Sequence, residues 1–361
     1  MSYDFFLSTM KRALILTDDH LDKGAAKTTH GLLRHSEKYD VVGVIDSKFV
    51  GKTTDEVIPR CKKVEIYPDI PSALEENKAD KLIVGVATVG GYLPENFREH
   101  IKETIKNGLD IISGLHHFLS EDEEFSKLAE EYGVELDDIR KSPPLEELHY
   151  FKDRKKEIDA LTIPFLGTDS SVGKRTALLE IYEAMKDRGD DVEWVATGQT
   201  GLLQGSDYGI PLDSIKGDYM VGELENQIWK AWEEKKPDYI LIEGQGSISH
   251  PAYVCGSRAV LAGSQPDGVV LQHAPARPYR HYQSEDIKWP MPDLEDEIHL
   301  IRSYSGADVI AVTINPEDLT EKEKEKYVLK YEQRFNIPST DALENPEKIA
   351  KRIEMQKEIQ E

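Results

Sequence analysis

The run LTIPFLGTDSSVGKRTALLEIYEAMKDRG (161–189) constrains this chain more than any other segment. It reads as a short apolar strand, a turn bounded by Gly167 and Gly173, and a helix that begins beside Lys174. Glycines at both ends let the backbone bend tightly and aim several N–H groups inward. The helix head adds the positive end of its dipole, so the turn is built for an anion. Lys174 is placed to reach phosphate oxygens as a compact point charge. The expected phosphate-binding set is Gly167, Thr168, Asp169, Ser170, Ser171, Val172, Gly173, Lys174, Arg175 and Thr176.

The spacing departs from the common P-loop. Five residues separate the glycines instead of four, and Arg175 fills the slot after the lysine where a Mg²⁺-binding hydroxyl normally stands. Thr176 follows one position later, about 100° further round the helix. Metal binding through Thr176 and Glu243 is therefore expected only if the ligand is a magnesium nucleotide.

Around this run the chain alternates strand and helix patterns in two series, which predicts α/β architecture with parallel sheets. The first series has ALIL (13–16), VVGVI (41–45), KLIVGVA (81–87) and DIIS (110–113) as strands. The second has TIPFL (162–166), VEWVAT (192–197), YILIEG (239–244), DGVVLQH (267–273) and DVIAVTI (308–314), with helices over 174–188 and 219–235. A polar stretch with prolines, about 140–160, separates them, giving domains 1–145 and 146–361. The Lys/Glu-rich stretch 321–361 holds two helical patterns around IPSTD (337–341) and is expected to cap the second sheet. The first domain resembles a Rossmann-type half, with Asp46 where an acid often meets a ribose hydroxyl, but the turn 17–34 lacks the three-glycine fingerprint. The second is read as a doubly wound domain of the P-loop NTPase type.

Composition narrows the function classes. With 39% hydrophobic and 31% charged residues among 361, the chain reads as soluble and globular. No apolar run approaches the roughly 20 residues that span a bilayer. A net charge of −23 opposes nucleic-acid binding, which depends on Lys and Arg neutralising phosphates. An anionic ligand then needs a local island of backbone N–H groups and a few cations. The short N-terminal apolar stretch runs into two acids without a small-residue cleavage site, and only Cys61 and Cys255 are present. A mature, cytoplasmic protein acting on a small molecule is expected, without nucleic-acid or membrane partners and with a homo-oligomer left open.

GTDSSVGKRT is similar to the loop of dethiobiotin synthetase, and IEGQG (242–246) resembles that family's strand end. A resemblance that spans nearly the whole chain is to the D-glutamate N-acetyltransferase-like P-loop proteins, once catalogued only as a domain of unknown function. SGLHHFLS (113–120), VATGQTG (195–201), IEGQGSISHPAY (242–253) and IPSTD carry it. This resemblance implies transfer of an acetyl group from acetyl-CoA to the amine of an acidic amino acid such as D-glutamate, with the P-loop on the coenzyme A phosphates. Such chemistry needs a general base, for which Glu243 and His250 are the candidates, and donors for the substrate. Gln199, Gln245, His273 and Arg277 are read as substrate-binding, with Arg280 completing a clamp beside Arg277. The alternatives are an ATP- or GTP-dependent ligase or kinase using Mg²⁺, and a sensor without turnover.

Overall fold

The computed structural model describes residues 10–282 and 286–360. Residues 1–9 of the N-terminal stretch read above lie outside the described residues, while its apolar run ALIL (13–16), which leads into Asp18 and Asp19, is described and forms a strand. The chain divides into two compact units. One comprises Met1–Ser142 with Gln199–Gly205, the other Pro143–Gly198 with Ser206–Glu361.

In the first unit, strands β1 (Lys11–Leu16), β2 (Tyr39–Ile45), β3 (Ile66–Tyr67), β4 (Lys81–Val84), β5 (Asp110–Ser113) and β6 (Leu136–Asp138) form one parallel sheet in the order β3-β2-β1-β4-β5-β6. This is the Rossmann order. Helices α1 (Lys27–Arg34), α2 (Ile70–Glu76), α3 (Phe97–Lys106) and α4 (Glu123–Tyr132) connect the strands. The apolar residues of the strands feed two cores, one around Leu14, Val84 and Phe97 and one around Ile15, Leu32 and Ile83. Asp46 does stand at the end of β2, but its carboxylate is wholly buried. It accepts from the Thr17 hydroxyl at 2.9 Å, Leu21 N–H at 3.1 Å and Lys48 N–H at 3.1 Å. The acid closes its own loop rather than presenting itself to a ribose.

In the second unit, strands β7 (Leu161–Gly167), β8 (Val192–Ala196), β9 (Tyr208–Gly209), β10 (Tyr239–Glu243), β11 (Val269–His273), β12 (Val309–Ile314) and β13 (Ser339–Thr340) make a second parallel sheet, ordered β13-β12-β11-β7-β10-β8-β9. The helices in chain order are α5 (Lys174–Arg188), α6 (Gln199–Gln204), α7 (Met220–Lys235), α8 (Gly256–Ser264), α9 (Leu294–Ser305), α10 (Glu321–Phe335) and α11 (Pro346–Gln360). Helix α6 follows β8 in sequence yet clusters with the first unit, where Gln204 Nε2 donates to Gly31 O at 2.9 Å. IPSTD supplies the edge strand β13, so this segment extends the sheet as well as joining its last two helices.

Strand β7 lies at the centre, with all seven residues buried, as a strand flanked on both faces requires. Strands β11 and β10 flank it. From β7 the chain passes to β8 and β9 on one side, returns to β10, and crosses to β11 before running on to β12 and β13 on the other. The order thus reverses about β7, where open sheets of this kind place a ligand crevice. The glycine of IEG has a local cause. A Cβ at Gly244 would sit 2.0 Å from Phe165 O, so only glycine lets the end of β10 approach β7 this closely.

The stretch between the two strand series is strapped to α7. His149 N–H and Nδ1 both meet Glu223 Oε1, and Glu225 accepts from Lys152 N–H at 2.7 Å and Arg154 N–H at 2.8 Å. A Cβ at Gly222 would meet His149 O at 2.2 Å. Because Glu225 is buried, truncating it strands two backbone donors. Glu225→Ala is expected to lower stability by about 2–4 kcal/mol, read as a fall in the urea midpoint with helical content retained.

Candidate active site at the P-loop

The glycine-bounded turn forms as a nest at the head of α5. Ser171 and Gly173 take left-handed backbone angles, φ 54° and 100°, and Val172 is buried between them. Gly173 is the N-cap residue and, having no side chain, places no capping group over the first turn of α5. The ammonium of Lys174 is not turned to solvent. Only 8% exposed, it folds back over the loop to donate to Asp169 O at 2.7 Å and Gly246 O at 2.9 Å.

Side chains hold every carbonyl between the two glycines. Arg280 donates to Thr168 O at 3.4 Å, Lys174 to Asp169 O, and Arg277 to Ser170 O at 3.1 Å and Ser171 O at 3.3 Å. Gln272 Nε2 donates to Val172 O at 3.1 Å. With these acceptors met by side chains, the loop backbone is held in one form. Arg277 also pairs with Asp169 at 3.3 Å and Glu317 at 2.8 Å, so it straps the loop instead of standing free as a substrate clamp. Arg280 likewise donates to the hydroxyls of Ser247 at 2.7 Å and Ser249 at 2.6 Å.

His273 takes a different place from the one expected of a substrate ligand. It is buried at the end of β11, with Nδ1 2.8 Å from the Thr168 hydroxyl and the ring edge-on to Tyr331. Burial pulls its pKa down to about 4, so it is a neutral prop for the loop.

The other expected residues separate into those at the loop and those elsewhere. Glu243 ends β10 and is 5% exposed; Oε1 accepts from Arg175 at 3.2 Å and Oε2 from Thr197 N–H at 3.0 Å. Gly198 faces this carboxylate, since a Cβ there would lie 3.8 Å from Oε2. Gln245 Nε2 donates to Thr197 O at 2.8 Å and Oγ1 at 3.1 Å, so its amide closes the loop and is not offered to substrate. Thr176 sits half-buried on α5. Gln199 belongs to the first unit, where Oε1 accepts from Arg140 at 3.0 Å.

His250 is buried against the loop, stacked on Tyr253 at 4.6 Å and edge-on to Trp289 at 5.7 Å. Its Nδ1 accepts from Ala252 and Tyr253 N–H, both at 3.1 Å, which puts the proton on Nε2, 3.7 Å from Asp169 Oδ1. With Nδ1 engaged and Nε2 protonated, the ring has no lone pair for a substrate proton. Burial lowers its pKa against the opposing pull of Asp169.

Sequence reasoning missed Glu297. In LEDEIHL it is one acid among several on an amphipathic helix, and only the fold reveals that it points inward. It is fully buried, accepts from the Ser249 hydroxyl, and lies 3.9 Å from Arg280. Burial raises its pKa to about 7, against the pull of Arg280. The folded chain thus keeps this proton up to about pH 7, while the unfolded chain releases it near 4.5. The folded state binds more protons in that window, so the contribution of this group to stability falls as pH rises through it. Glu297→Gln is expected to flatten that decline and raise stability by up to about 3 kcal/mol at about pH 8 relative to about pH 5, measured by urea unfolding at both. A slope identical to that of the parent chain would refute the assignment.

Residues 149–350 match a family described as a domain of unknown function (DUF1611_C), a P-loop domain. Residues 47–142 match the DUF1611_N domain, described as Rossmann-like. A D-glutamate N-acetyltransferase from Tritonibacter scottomollicae is 32% identical over 281 residues, covering 74% of this chain and 80% of that protein. Another of the same name, from a Pseudoalteromonas species, is 31% identical over 271 residues, 73% of this chain and 78% of its own length. The crystal structure of a DUF1611 family protein from Anabaena variabilis superposes with a TM-score of 0.87 at 26% identity, covering 96% of this chain and 99% of that one. With both of its domains matched in order, the chain belongs to the DUF1611 family.

Proposed function

We propose that this protein is an N-acetyltransferase that moves the acetyl group of acetyl-CoA to the amine of an acidic amino acid such as D-glutamate. In this reading the P-loop holds the coenzyme A phosphates. The observation that carries it is the glycine-capped head of α5, with Lys174 across the loop and Glu243 at the neighbouring strand end, in a chain whose relatives bear the name D-glutamate N-acetyltransferase.

The reaction is balanced without another reagent. A neutral amine attacks the thioester carbonyl, the C–N bond forms, the C–S bond breaks, and the proton lost from nitrogen ends on the departing thiolate. Glu243 is the proton carrier we assign. Each of its oxygens accepts one bond and keeps a second lone pair that can take a proton. His250 and Asp169 serve as positioning residues that hold the loop. The two cysteines, Cys61 and Cys255, are unbonded, which fits a reducing, cytoplasmic setting.

Acetyl-CoA with D-glutamate is expected to release coenzyme A thiol, followed by a colorimetric thiol reagent, and the product mass should rise by one acetyl group. No thiol above background across a panel of D- and L-amino acids would overturn the reading, as would magnesium-dependent nucleotide hydrolysis at comparable rates. Lys174→Ala is expected to weaken coenzyme A binding at least about 30-fold, as loss of a charge-assisted phosphate contact predicts. Its melting temperature should fall by only about 2–4 °C, because the ammonium also satisfies two loop carbonyls. Calorimetric titration and a thermal melt check both.

A further inference from the structure

We propose that the Arg175–Glu243 ion pair takes the place of a divalent cation in this P-loop, so that the site binds a diphosphate ligand without magnesium. The proposal rests on the reading of the loop as an anion receptor. It goes beyond that reading by assigning the source of the cationic charge.

A P-loop that holds magnesium uses two protein groups, the hydroxyl directly after the lysine and an acid from a neighbouring strand end. Neither fits a metal here. The first slot is Arg175, and the nearest hydroxyl, Thr176, lies one residue on, about 100° round the helix. The acid is present as Glu243, at the end of the strand beside β7, but its Oε1 already carries the Arg175 guanidinium. A metal ion at that carboxylate would meet the Arg175 guanidinium, bonded 3.2 Å away, as a like charge.

Arg175, held in place by Glu243, supplies the cation that the metal would have supplied. Glu243 is nearly buried and fixed from behind by Thr197 N–H, while the Arg175 side chain remains about a quarter exposed at the head of α5. The one hydrogen bond described for Arg175 uses NH1. A guanidinium has five N–H donors in a planar fork, so Nε and NH2 can address phosphate oxygens while NH1 stays on the carboxylate. The charge delivered is one unit where magnesium would bring two. That suits the diester phosphates of a coenzyme or nucleotide, whose charge is shared with Lys174 and the loop amides.

The test is calorimetric titration of the full chain with coenzyme A and, separately, with ADP, each in EDTA and in magnesium chloride. Dissociation constants for the parent chain are expected to agree within about threefold between the two buffers. Arg175→Ser should bind at least about tenfold more weakly in EDTA and regain part of the loss when magnesium is added, since a serine there restores the metal hydroxyl. If that variant does not fold, the double variant Arg175→Ser with Glu243→Gln, which leaves no unpaired buried carboxylate, carries the EDTA measurement. Magnesium tightening the parent chain by about tenfold or more, or unweakened binding by either variant in EDTA, overturns the proposal. Acetyl transfer is scored apart from binding. Metal-free binding without transfer counts against the catalytic reading alone, and transfer that requires magnesium counts against the ion pair alone.

Discussion

Five consecutive carbonyl groups, from Thr168 to Val172, each accept a hydrogen bond from a side chain, and the site depends on that arrangement. A peptide chain that bends tightly enough to point several N–H groups at one anion must point its carbonyls away from it. Left unmet in a partly buried setting, those carbonyls would each be costly. Here the donors are Lys174, Arg277, Arg280 and Gln272, drawn from α5, the segment after β11 and β11 itself. The lysine is central to this, because its ammonium ties Asp169 O to Gly246 O. The β7 and β10 loops are thereby tied together before any ligand arrives, which lowers the ordering cost of binding.

Much of the fold is legible in the sequence, and the failures share one cause. Apolar runs of four or more residues marked the strands that carry most of the pairing in both sheets, and the helix at 174–188 matches α5 end to end. The strands that escaped notice are β3, β9 and β13 with two residues each and β6 with three. A pattern of period two needs several residues to declare itself, so these segments are set by the sheet edges they join and not by their own composition. Helix α6 escaped for a related reason. VATGQTG reads as one loop end, and nothing local says that the chain changes partners between Gly198 and Gln199.

At the site, legibility divides along the same line between local and distant determinants. Glycine, lysine and helix lie in one continuous register, so the motif could be read directly. The roles of His273, Arg277 and Gln245 depend on partners 105, 108 and 48 positions away, and their side chains turned to the loop instead of toward a ligand. Residue type at a strand end gives proximity to the crevice but not the direction of the side chain. Glu297 is the sharper case, since an acid on a charged helix looks like a solvated one until the facing Ser249 and Arg280 are known.

These pairings decide how a chain of net charge −23 can hold an anion. Among the described residues, the four cations paired at the loop, Lys174, Arg175, Arg277 and Arg280, stand against four acids, Asp169, Glu243, Glu297 and Glu317. Side-chain charge in the cluster therefore nearly cancels, and turns positive only as Glu297 keeps its proton below about pH 7. What remains for the ligand is directional. It consists of the loop amides, about half a unit charge at the head of α5, and those guanidinium and ammonium donors that can add a bond to the ones they already make. Fixed N–H groups act at contact distance and fade quickly beyond it, whereas a net positive field would reach out about a Debye length, roughly 8 Å, and gather anions of any shape. On the function proposed above, a neutral cluster of oriented donors in an acidic protein would select a phosphate by its fit to the loop, and the surrounding negative charge would exclude anions that cannot reach it.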